Sequence, residues 1–149
     1  MSRVDEAVEI LLVEDSAADA ELTVRALKKH GMVNELTWLK DGAEALDFLF
    51  ATGAHAGRDT SPRPRVLLLD LHLPRLSGLE VLRQLKGDER TRAIPVVVLT
   101  SSRESADVKE CHALGVDSCI TKPVSFDELV AATGQLGLSW LLLGRTPGV

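Results

Sequence analysis

Three short runs of this chain, ILLV, VLLL and VVVL, are apolar at every position rather than at every second one. A strand of that kind cannot face water on either side, so it belongs in a sheet covered on both faces. Five segments read as strands: 8–13, 35–39, 66–69, 95–99 and 117–121. Helical patterns fill the gaps between them, and four helix starts are marked. Ser16 with Asp19, Asp41 with Glu44, Ser77 with Glu80 and Ser125 with Glu128 each set a capping side chain three residues before an acid. Ala20, Val24 and Leu27 form one apolar stripe, Leu46, Leu49 and Phe50 a second, and Leu79, Leu82 and Leu85 a third. Gly31 and Gly115 stand where helices should stop.

Five strands alternating with five helices predict an α/β three-layer sandwich with a parallel sheet and right-handed crossovers. The flavodoxin-like strand order 2-1-3-4-5 is expected by analogy with other folds of this kind. At 149 residues the chain suits one domain and buries a core without staples. The segment ATGAHAGRDTSPRPR, 51–65, reads as a surface excursion or a tolerated insertion. Cys111 and Cys119 fit neither a zinc pattern nor CxxC and are taken as small buried hydrophobes.

The net charge of −5 argues against general binding to nucleic acid or to anionic membranes. The N-terminus has no apolar core of a signal peptide, and no run nears the roughly 18 residues of a membrane span. A soluble, cytoplasmic protein is expected.

In an open parallel sheet, ligands bind beyond the carboxyl ends of the strands. Strand one ends in Glu14 and Asp15, strand three in Asp70, strand four in Thr100, and strand five runs into Thr121, Lys122 and Pro123. Each has an ordinary explanation alone. Asp70 and Thr100 can simply end strands, Glu14–Asp15 can be an acid pair at a helix start, and Lys-Pro can be a loop. Together, in the expected order, they meet at one edge. Three converging carboxylates must share protons or hold a cation between them. Oxygen donors without a His or Cys cluster favour a hard cation, Mg²⁺ before zinc. Such a site, with a lysine opposite, would attract a phosphoryl group and offer a carboxylate as nucleophile.

The motifs ILLVEDS, LLLDLHLPRLSGLEVL, PVVVLTSS, ALGVDSCITKP and SFDEL resemble the receiver domain of bacterial two-component response regulators. The resemblance implies a single receiver domain over 1–149, with a core of about 8–136. It implies that Asp70 accepts a phosphoryl group from a sensor histidine kinase. Asp15 and Asp70 would hold Mg²⁺ directly, Glu14 through water, and the backbone carbonyl of His72 would be a further ligand. Thr100 would be the switch hydroxyl and Lys122 the phosphate contact, with a cis peptide bond before Pro123. Glu14 stands where the family more often has Asp. Cys119 stands where many receivers have an aromatic switch residue, so coupling from Thr100 must use packing or backbone shifts. The long loop before strand three, LPRLSG and the tryptophan-containing tail are similar to stand-alone receivers associated with phytochrome-type histidine kinases.

Little chain beyond one helix follows Lys122, so no output domain is expected. The apolar tail, 137–149, continues a helical face of Leu136, Trp140 and Leu143. It either folds back onto helix five or one, or joins helix four, strand five and helix five in a homodimer contact. Rival readings are a metal-dependent phosphatase with an aspartyl nucleophile, a pseudo-receiver scaffold and a flavodoxin. The phosphatase lacks a second acid at position 72. The scaffold is disfavoured by the retained acids, Thr100 and Lys122. The flavodoxin is disfavoured because VEDSAAD would repel a phosphate.

Overall fold

The computed structural model describes residues 10–29, 36–57, 64–101 and 106–135. Five strands, β1 (Ile10–Val13), β2 (Leu36–Leu39), β3 (Val66–Asp70), β4 (Val96–Thr100) and β5 (Ser118–Thr121), form one parallel sheet of order β2-β1-β3-β4-β5. Between and after them lie α1 (Ala17–Lys29), α2 (Gly42–Phe50), α3 (Gly78–Lys86), α4 (Ala106–Ala113) and α5 (Phe126–Gln135). This is the flavodoxin-like arrangement predicted.

The fully apolar runs are explained by the two cores. Along β1 and β3, Leu11, Val13, Leu67 and Leu69 face a core shared with α2, α3 and α4. Their alternates Ile10, Leu12, Val66 and Leu68 face a second core shared with α1 and α5. Each predicted stripe packs into its side. Leu79, Leu82 and Leu85 are buried in the first core, and Ala20, Val24 and Leu27 pack in the second.

All four helix starts carry the predicted cap. Ser16 Oγ, Asp41 Oδ1, Ser77 Oγ and Ser125 Oγ accept from the backbone N–H three residues on, at 2.7–3.2 Å. At the end of α4, Gly115 adopts φ 90°. Its N–H donates to His112 O and that of Val116 to Cys111 O, the paired bonds of a Schellman stop. Gly31 and the 137–149 tail lie outside the described residues.

Four details differ from the sequence reading. β4 starts at Val96, because Pro95 has no N–H for the ladder; its carbonyl still accepts from Leu67 N–H at 2.9 Å. Asp117 precedes β5 rather than opening it, and its Oδ2 accepts from Val96 N–H at 2.9 Å. Cys111 is buried, but Cys119 is only half-buried, since β5 is an outer strand with a neighbour on one side. The start of the 51–65 loop is folded: Ala51 turns left-handed at φ 55°, a short 3-10 turn follows at Gly53–His55, and Thr52 Oγ1 donates to Asp47 Oδ1 at 2.8 Å.

Candidate functional site

Strand alternation explains why residues far apart in sequence meet. Leu12, Leu68 and Ile120 share the α1/α5 face of the sheet. Two residues further on stand Glu14, Asp70 and Lys122, which keep that parity past the strand ends. The register places Val13 beside Leu69, so Glu14 and Asp70 arrive level, while Leu99 pairs with both Asp70 and Ile120, so Lys122 stands two residues past that level and its long side chain spans the difference. Thr100 follows Val98, which belongs to the other face, and is fully buried there.

Lys122 Nζ sits among three carboxylates: 2.7 Å from Glu14 Oε1, 3.0 Å from Asp19 Oδ2 and 3.1 Å from Asp70 Oδ2. Glu14 and Asp70 are buried, while Asp15 is exposed. One carboxylate oxygen from each of Glu14, Asp15 and Asp70 lies within 4.8 Å of the others. His72 N–H donates to Asp70 Oδ1 at 2.9 Å, and Lys122 N–H donates to Thr100 O at 2.7 Å. The Lys122–Pro123 peptide bond is cis. The predicted Glu14, Asp15, Asp70 and Lys122 therefore form one cluster. His72 reaches it through its backbone, with its side chain exposed.

A glycine makes the approach of β3 to α3 possible. A Cβ on Gly78 would fall 2.2 Å from Asp70 O and 2.7 Å from Leu71 Cα. No other residue type lets the first turn of α3 lie against the end of β3.

The electrostatics follow from burial. Loss of water pushes the Glu14 carboxyl up to about 7, with Asp70 beside it adding to the rise and Lys122 opposing it. Burial alone would lower the Lys122 ammonium, but Glu14, Asp19 and Asp70 more than offset this and hold it above the usual lysine range. Glu14 Oε1 touches Lys122 as an ion pair yet has no well-directed hydrogen bond. A buried acceptor left in this way, within an oxygen-only trio, fits a hard divalent cation.

Two site residues escaped the sequence reading. In the sequence Asp19 reads only as the acid of a capping pair, yet its carboxylate turns to Lys122. The available signal is its place in the first turn of the helix that directly follows Glu14 and Asp15. Trp38 on β2 donates its indole N–H to Glu14 O at 2.7 Å, bracing the end of β1. Nothing in local sequence announces that bond, because it crosses between strands.

A doubly covered parallel sheet with an acid trio and a lysine at its carboxyl edge defines a receiver. Residues 10–134 match the family described as response regulator receiver domain, and the chain belongs to it. It is 47% identical to the bacteriophytochrome response regulator AtBRR over 93% of this chain and 99% of that one, with a TM-score of 0.82. The probable methanogenesis regulatory protein FilR2 of Methanothrix harundinacea is 45% identical, over 93% of this chain and 87% of that protein. The Mn(2+)-bound form of response regulator Rcp1 is 38% identical over 93% of this chain and 96% of that chain, with a TM-score of 0.71.

Proposed function

We propose that this protein is a switching phosphoacceptor whose acceptor atom is a carboxylate oxygen of Asp70. The reading is carried by one observation: Lys122 Nζ stands 3.1 Å from Asp70 Oδ2 at the edge of an acid trio. A bound Mg²⁺, held by Asp15 and Asp70 with Glu14 and the His72 carbonyl around it, would offset charge on the incoming phosphoryl group. Asp70 is the nucleophile. Lys122 neutralises charge on the moving group and stays beside the product. The phosphoryl group brings about −1.5 to −2 charges into the edge of a buried core. Thr100, next to that core, answers with its hydroxyl, and α4 and β5 repack. With Cys119 half-buried on β5, this repacking uses small side chains and backbone rather than an aromatic flip.

The donor is a phosphohistidine of a sensor histidine kinase. Similarity to AtBRR favours a phytochrome-type kinase. The receiver acts in the cytoplasm. It signals through association, with α4, β5, α5 and the 137–149 tail as the homodimer surface. It turns over its own phosphoryl group but no external substrate. The test is intact mass after exposure to acetyl phosphate and Mg²⁺. The wild type gains one phosphoryl group and Asp70→Asn gains none; equal labelling of both would remove Asp70 from the mechanism.

A further inference from the structure

Asp19 stands apart from the other acids of the site. It belongs to α1 rather than to a strand end, and it is not one of the three acids whose oxygens cluster within 4.8 Å. Its side chain is 43% exposed, against 1% for Glu14 and 3% for Asp70. Even so, its Oδ2 accepts from Lys122 Nζ at 3.0 Å, as close as the acceptor carboxylate.

An ammonium has three N–H groups. Three carboxylates stand within 3.1 Å of this one: Asp19 and Asp70 accept its hydrogen bonds, and Glu14 Oε1 is held as an ion pair without a well-directed bond. A phosphoryl oxygen arriving at Lys122 competes with these carboxylates for the ammonium, and gains most where one of them leaves. Asp70 cannot leave, because it carries the new group. Glu14 is fully buried and cannot turn to water. Asp19 can leave at small cost: it lies in the first turn of α1, where the helix dipole favours a carboxylate with or without a lysine. Its exposed side also returns readily to water.

We propose that Asp19 is a positioning residue that competes with the phosphoryl group for Lys122 and so weakens the hold of the site on phosphate. This rests on Asp70 being the acceptor. Asp19 adds a negative charge that neither binds the cation trio nor attacks phosphorus. It occupies the ammonium before phosphorylation and repels the dianion during it. Its expected effects are a less complete phosphorylation and a shorter phosphoryl lifetime than the trio and lysine alone would give.

The test compares wild type with Asp19→Asn, which keeps size and one acceptor oxygen but removes the charge. The probe is beryllofluoride, a phosphoryl mimic that cannot be transferred, titrated with Mg²⁺ present and read by fluorine NMR. Asp19→Asn should bind it on the order of threefold to tenfold more tightly. That gain should shrink at high salt, since the pair is partly exposed. A packing defect would not respond to salt in this way. The same titration in a Lys122→Ala background should lose most of the gain, which shows that Asp19 acts through the lysine. In parallel, acetyl phosphate labels Asp70: an Asp70 Oδ–P bond forms, the donor's O–P bond breaks, and acetate leaves with the electron pair. Decay of that label should be slower in Asp19→Asn. Equal or weaker beryllofluoride binding by Asp19→Asn, with Asp70 labelling intact, overturns the role of Asp19 and leaves the phosphoacceptor reading standing. Failure of wild type to label at Asp70 overturns both.

Discussion

Glu14→Gln tests the electrostatics of the site directly. In the folded chain without a divalent cation, burial and the neighbouring Asp70 hold the Glu14 carboxyl at about 7 instead of its ordinary 4.5. A carboxyl raised in this way binds its proton more tightly when folded. Its contribution to stability is therefore complete below pH 4.5 and is lost as pH rises through about 7. The gap between those two values corresponds to about 3 kcal/mol at roughly 1.36 kcal/mol per pH unit. That is an upper figure for what ionising Glu14 costs the folded state. It already includes the ion pair with Lys122, which acts in the opposite sense. A glutamine has the same shape and no charge to desolvate. Without divalent cations, Glu14→Gln should therefore raise the stability of the protein at pH 8, by about 1–3 kcal/mol. The advantage should fade toward pH 4.5. Urea unfolding with a chelator present, followed across this range, measures it. Adding Mg²⁺ should reverse the order, stabilising the wild type more than the variant. If Glu14→Gln is no more stable than wild type at pH 8, or if its advantage does not depend on pH, the burial argument for Glu14 is wrong.

Two further outcomes follow from the same geometry. Proton and cation compete for Glu14, so Mg²⁺ should bind about tenfold more tightly at pH 8 than at pH 6. Calorimetry in buffers of different ionisation enthalpy should show proton release near pH 7, and a flat pH response would contradict this. Gly78→Ala places a methyl group against backbone at the end of β3, 2.2 Å from Asp70 O. It should cost about 3 kcal/mol in urea unfolding and slow labelling by acetyl phosphate, because the end of β3 must move. A variant with unchanged stability would mean that α3 does not lie where the structure has it.

Much of this protein is legible in its sequence. ILLV, VLLL and VVVL demanded a sheet covered on both faces, and that sheet holds two cores. Ser16, Asp41, Ser77 and Ser125 announced helix starts, because a cap is a contact between residues three apart. Strand ends are harder to read by eye: Asp117 looked like strand, yet it bonds sideways to Val96.

Local sequence thus determined the elements, their caps and the acids at strand ends, since those depend on side-chain periodicity and neighbours a few residues apart. Only the tertiary structure decided which acids share the lysine. Asp19 and Lys122 are 103 positions apart, and Trp38 braces Glu14 across two strands. Such contacts depend on strand order and on how far each helix tilts over the sheet edge. Those follow from packing the whole core at once, and no window of sequence contains them.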